Sequence, residues 1–197
     1  MQKDPSFVLN HLIPPAFSLF FLRELPFSRF DFPRWQSVLA VTLIGVLAGL
    51  DPGLRANTPE MPGMPLWVTI PSIVLSVWVA FLIILGVLAW WLKRGQRWDG
   101  QGDLFNLVAA SWLVADVLVA GLTALGVPGP LTLPLWLYSV WVGANALSGA
   151  IPKVSLGYAI GGIVIGIIPA MLFSGALFGA LGMALALLGF VPSPGGA

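Results

Sequence analysis

Asp116 is the one ionisable side chain set well inside a long apolar stretch of this 197-residue chain. A charge at such a depth in hydrocarbon costs roughly 2.5–3.5 kcal/mol on insertion scales, so the carboxyl is expected to face protein and to find a partner. Ala109, Trp112, Ala120 and Thr123 lie four or seven residues away and share its face of a helix. That mostly small stripe suits a buried helix contact. Reflecting the chain about the Gly126–Pro130 turn brings Asp116 level with about residue 140, which places Ser139 and Tyr138 within reach. Counted from the other end, Pro169 lies at similar depth, and its ring frees a carbonyl one turn earlier. Three roles are open to Asp116: a hydrogen bond that joins helices, a proton or cation site, or a contact in a partner interface.

The second candidate is Gly100-Gln101-Gly102-Asp103, which spells the G-x-G-D motif of intramembrane aspartyl proteases. That chemistry needs two carboxyls sharing a proton within a few ångströms. Asp116 stands thirteen residues further along the same expected helix, about 20 Å away at 1.5 Å per residue, so these two cannot form the dyad. Asp99 or Asp31 would have to fold back to complete it. A turn followed by an N-cap at Asp103 is the simpler reading.

Small residues supply the third pattern. Gly157 and Gly161, Gly162 and Gly166, and Gly175 and Gly179 are each four apart, with Ala176 and Ala180 beside the last pair. This spacing lets helix backbones approach closely in a membrane. Packing inside the bundle and a surface for another membrane protein or a second copy both remain open. Gly143, Asn145 and Ser148 add a further polar or small cluster, where hydrogen bonds between helices are expected.

The elements that carry these residues follow from composition. Apolar residues make up 58% and charged residues 9%, too few charges to solvate the surface of a water-exposed globule of this size. A net charge of +1 gives no footprint for nucleic acid. The absence of cysteine rules out disulfides, zinc thiolates, iron–sulfur clusters and cysteine nucleophiles, and a single histidine leaves no pair of haem ligands within the chain. No cofactor, metal set, nucleophile–histidine pair or phosphate-binding loop is expected, and no soluble small-molecule substrate is evident.

The expected fold is therefore all-α: a polytopic transmembrane helix bundle of five spans, or six, with the lipid bilayer as its solvent. Apolar tracts of about 20 residues cross the hydrocarbon, and they fall at about 35–50, 67–92, 104–125, 131–150 and 156–173, with a further helical piece at 175–191 beyond a break at Phe173-Ser174-Gly175. Residues 1–34 form an N-terminal arm, with Phe17, Phe20 and Phe21 placed to lie in the membrane interface. Lys3, Arg23, Arg29 and Arg34 in the arm, Lys93, Arg94 and Arg97 in the second loop and Lys153 in the fourth share one side, against Arg55 alone on the other. The positive-inside rule then puts the N-terminus in the cytoplasm of a bacterial inner membrane.

Gly102-Asp103-Leu104-Phe105-Asn106-Leu107 at the start of the third span, together with Leu135-Trp136-Leu137-Tyr138-Ser139-Val140-Trp141-Val142-Gly143-Ala144-Asn145-Ala146 and the short loop at Lys153, resembles the bacterial Yip-domain family. These proteins are relatives of the eukaryotic Ypt/Rab-interacting membrane proteins. The resemblance covers about residues 33–175 and implies five spans, a cytoplasmic arm and a non-catalytic membrane role. The aspartate–leucine–tyrosine–glycine–proline motif of the eukaryotic members is absent, so Rab binding does not carry over. The functional expectation is a non-enzymatic accessory subunit, scaffold or assembly factor acting through helix–helix contacts. A small-solute or ion transporter or channel using Asp116 is the alternative, and intramembrane proteolysis a remote one.

Overall fold

A computed structural model describes residues 11–55 and 64–189. Lys3, residues 56–63 of the first loop and residues 190 and 191 of the last expected piece lie outside the described residues. The described chain is helical, with no strand: α1 (Ile13–Phe20), α2 (Trp35–Ala48), α3 (Leu66–Arg94), α4 (Leu104–Ala124), α5 (Gly129–Ala150) and α6 (Leu156–Leu187).

Of the five expected spans, three are helices long and apolar enough to cross a membrane, namely α3, α4 and α6. The other two fall short for different reasons. With 14 residues, α2 is about 21 Å long against roughly 30 Å of hydrocarbon. The 22 residues of α5 suffice in length, but Pro134, Asn145 and its serines and glycines dilute its apolar character. The expected break at Phe173-Ser174-Gly175 does not occur, and residues 175–187 continue α6 without interruption. There the Ser174 hydroxyl donates to the Ala170 carbonyl at 2.7 Å, one turn back, a bond that serine makes readily within a helix.

Five helices close a ring: α2 packs on α3, α3 on α6, α6 on α5, α5 on α4, and α4 on α2, while α3 and α4 barely meet. Glycines set the closest approaches. A Cβ at Gly45 or Gly49 would lie 2.8 Å from the Cα of Val74 or Ile70, so α2 and α3 touch backbone to backbone. This pair has the same four-residue spacing as the α6 glycines. In α6, Gly162 gives room to Trp91 and Leu88, and Gly166 lies against the Ile84 backbone. Trp91 and Tyr158 lock the same seam: their rings stack 5.0 Å apart, the Trp91 indole donates to the Tyr158 carbonyl and the Tyr158 hydroxyl to the Trp91 carbonyl. Phe81, fully buried, meets Phe105 and Trp112 edge-on at 5.2 Å and so ties α3 to α4 across the ring.

The N-terminal arm is part of this packing rather than a layer beside it. Leu12, Ala16, Leu19 and Phe30 are buried, and α1 lies against α4 and α5, while Phe17 and Phe21 remain exposed. Glu24 rests on Gly149, yet the Phe20 carbonyl accepts the Tyr138 hydroxyl. Eleven residues of α5 separate those two contacts, so the arm reaches about 16 Å along α5 and returns. The reversal sits at Leu22, whose φ of 57° is left-handed.

One side chain fastens the returning strand of the arm. Asn106, fully buried in the first turn of α4, donates from Nδ2 to the carbonyls of Phe30 (2.9 Å) and Phe32 (2.7 Å), and its Oδ1 accepts the Ser37 hydroxyl at 2.8 Å. The arm, α2 and α4 thus meet at one amide. Asn106→Leu leaves three buried groups unpaired, at roughly 1–3 kcal/mol each. A lowered melting midpoint in detergent is expected, with protease cutting near residues 20–30 before the bundle unfolds. Gly45→Leu forces α2 off α3 and is expected to cost about 1–3 kcal/mol in the same melt.

Candidate functional site

The ring does not fill its own centre. On the half near the Lys93, Arg97 and Lys153 loops the interior is closed by Phe81, Leu88, Leu107 and Leu147, each at most 1% exposed. On the other half a cavity of about 350 Å³ is left, walled by residues from all five ring helices. Its walls are apolar apart from Asp116, three hydroxyls and two tryptophans, Trp112 and Trp136. Asp116 is half-buried because the cavity lies in front of it.

Two of the partners expected for Asp116 separate here. The Ser139 hydroxyl reaches its carboxyl across the α4–α5 seam. Tyr138 does not: one position along, it points outward from the seam and donates to Phe20 of the arm. No hydrogen bond joins Asp116 to the α6 backbone among the described residues, although Ala170 and Ser174 line the same cavity. Helical phase explains the division, because consecutive residues diverge by about 100° and cannot both face one neighbour.

At Asn145 the side-chain oxygen is buried without a hydrogen-bond partner among the described residues, as is that of Gln36. Gly143 lines the cavity and faces Ile163 and Ser111 across ordinary contact distances. The α6 glycines divide in two. Gly161, Gly162 and Gly166 lie towards α3, whereas at Gly157, Gly175 and Gly179 no described residue comes within 4 Å of where a Cβ would stand.

The G-x-G-D stretch is a turn and a cap. Gly100 and Gly102 adopt φ of 89° and 83°, the left-handed region that favours glycine, and a Cβ on Gly102 would overlap the Phe27 ring. Asp103 then uses both carboxylate oxygens: Oδ1 accepts the Asn106 amide at 3.2 Å, and Oδ2 accepts Arg34 Nε at 2.7 Å. No hydrogen bond joins Asp103 to a second carboxyl among the described residues. Asp31 and Asp99 border the same open cleft of about 990 Å³ as Asp103, together with Arg34, Lys93, Arg97 and Lys153. Signs alternate in that cleft, and Arg97 is held in place by the Lys153 carbonyl at 2.8 Å and by the Tyr158 ring 4.3 Å beneath its guanidinium.

Sequence reasoning placed Asp116 and Ser139 together but missed Asn106 and the Gly45–Gly49 pair. Asn106 carries no periodic signal of its own, since a polar residue three positions after an N-cap reads as an ordinary first-turn residue. Gly45 and Gly49 were legible from their spacing, which is that of the α6 pairs. Compared with family models, curated proteins and solved structures, the chain finds no match in any of the three.

The turn reading has a direct consequence for stability. Asp103→Asn keeps a good N-cap and loses only a partly exposed ion pair, so it is expected to cost less than about 1 kcal/mol. Gly102→Ala must hold a left-handed backbone at a further cost of about 1–2 kcal/mol, and it also displaces Phe27. Melting curves of the two variants should therefore differ, with Gly102→Ala the lower.

Proposed function

We propose that this chain is a non-enzymatic integral membrane protein that docks onto other membrane helices, as an accessory subunit, scaffold or assembly factor. The observation that carries the reading is the far half of α6. At 32 residues, the helix is about 48 Å long, well beyond the roughly 30 Å that a straight crossing needs. Its last buried residue is Ala170, and none of residues 171–189 is buried. Met171, Leu172, Phe173, Met183 and Leu187 are all more than 60% exposed. Gly175 and Gly179 sit on this stretch with open space around them. Lipid satisfies apolar side chains, but it does not need small residues at a four-residue spacing; a second helix does.

The same reading takes all five ring helices as spans, in a bacterial inner membrane with a cytoplasmic N-terminus. Membership of the ring supports this for α2 and α5, which lie edge to edge with the three long apolar helices. Local bilayer thinning accommodates a short span such as α2. The excess of lysine and arginine on alternate loops supports the orientation. The Yip-domain resemblance agrees with a non-catalytic role. The transporter or channel alternative draws on the cavity at Asp116, yet the packed layer beneath it offers no continuous path through the ring.

Docking is tested by the contrast between two pairs of glycines. Gly175→Leu with Gly179→Leu is expected to abolish co-purifying or cross-linked larger species while leaving the melt of the isolated protein unchanged. Gly162→Leu with Gly166→Leu should lower the melt itself, because those positions face α3. A double variant at 175 and 179 that retains the full complex would overturn the reading. Topology is tested separately, and the absence of native cysteine makes the background clean. An impermeant maleimide applied to intact cells is expected to label Val127→Cys and to spare Lys153→Cys.

A further inference from the structure

The cavity inside the ring has a chemistry of its own that helix docking does not use. Four oxygen-bearing side chains line it, from three helices: Asp116 and Thr123 on α4, Ser139 on α5 and Ser174 on α6. Thr123 and Ser174 give their protons to their own helices, while the Ser139 hydroxyl stands between the Trp136 carbonyl and the Asp116 carboxyl. Thr123 gives to the Ala120 carbonyl at 3.0 Å and Ser174 to Ala170 at 2.7 Å, and Ser139 lies 2.8 Å from the Trp136 carbonyl. A hydroxyl has one proton to donate and two lone pairs to accept with. The Thr123 and Ser174 oxygens therefore present acceptors to the cavity, and the Asp116 carboxyl adds the strongest of them. Among the described residues the rest of the wall is apolar side chains, with Trp112 and Trp136 as its two indoles.

Size and surroundings narrow the occupant. A space of about 350 Å³ is far larger than the roughly 30 Å³ share of a single water, and apolar walls do not hold a water cluster well. Metal ions are disfavoured: among the described residues no three acidic, histidine or cysteine side chains come together, whereas divalent cations take several hard oxygen ligands. One carboxyl, acceptor oxygens, aromatic faces and otherwise greasy walls complement a monovalent organic cation with N–H donors.

We propose that the cavity is a binding site for a small lipophilic ammonium compound, its nitrogen held by Asp116 and Ser139 and its apolar body lodged between Trp112, Trp136 and the α6 wall. The ring is sealed towards the basic loops, so the ligand enters from the opposite end, past Ala48 of α2 and Thr123 of α4. Nothing in this proposal depends on the glycines of α6, and it stands or falls apart from the docking reading.

The test uses the full chain in lipid nanodiscs, with 2-phenylethylammonium as probe and its neutral isostere 2-phenylethanol as control, followed by calorimetry or by quenching of tryptophan fluorescence. Saturable binding of the ammonium is expected, at least about tenfold tighter than the alcohol, in keeping with a hydrogen bond to a charged group. Asp116→Asn should weaken the ammonium by at least about tenfold and leave the alcohol unchanged. Ala48→Phe, which fills the mouth of the cavity without touching its charge, should weaken both, and it keeps the test decisive if Asp116→Asn does not fold. Equal affinity for ammonium and alcohol, absence of saturable ammonium binding, or binding indifferent to both Asp116→Asn and Ala48→Phe would overturn the proposal.

Discussion

A single buried amide holds together three segments that would otherwise part. Asn106 offers two donors and one acceptor in fixed directions, and the structure brings a matching set to it: two carbonyls from the end of the arm and one hydroxyl from α2. In water such bonds contribute little net stability, because solvent competes for each group. Here all three contacts are buried, so the groups have no solvent to return to and their loss is costly. The arm can then re-enter the bundle and come back out, since its backbone is satisfied on the return. Tyr138 performs the same service at the arm's turning point, capping the Phe20 carbonyl from α5.

With the arm and α2 fixed on α4, the ring can close through α3 and α6, and closure produces the cavity. Five helices around a common axis leave more central space than side chains of ordinary size fill unless a large one projects inward. Phe81 does so on one half, meeting Phe105 and Trp112 edge-on. On the other half the inward positions hold Ala80, Ala120, Gly143 and Ala170, whose small side chains leave the centre open. The carboxyl of Asp116 stands at that boundary, where the packed layer gives way to the void. Placed one turn nearer the basic loops it would be in the packed layer; one turn further it would be near the mouth.

Glycine spacing looks uniform along α6 and has two physical meanings. At Gly162 and Gly166 the absent side chain is replaced by Trp91, Leu88 and the Ile84 backbone, so the residue is small because a neighbour occupies its space. At Gly175 and Gly179 none of the described residues occupies it. Ala170 is the last buried residue of α6, and the apolar residues beyond it are left half-buried or exposed.

Much of this was determined by the sequence alone. The all-helical class and the membrane environment follow from a scarcity of charge that no folding can remedy, and the ends of α3, α4 and α5 follow from Arg94, Asp103 and the Gly126–Pro130 turn. The pairing of Asp116 with Ser139 was legible from depth, because helices joined by a tight turn must run antiparallel in register. Three things were decided only by tertiary structure. Whether Tyr138 or Ser139 faces Asp116 depends on how α5 rotates about its axis, and a hydrophobic pattern that is apolar nearly all round does not fix that rotation. Continuity of α6 through Ser174, despite the backbone bond that Pro169 cannot make, is not fixed by the local residues, which read equally well as a break. The role of Asn106 exists only once residues 30, 32 and 37 are brought beside it, and contacts between positions about seventy residues apart leave no mark on the local pattern.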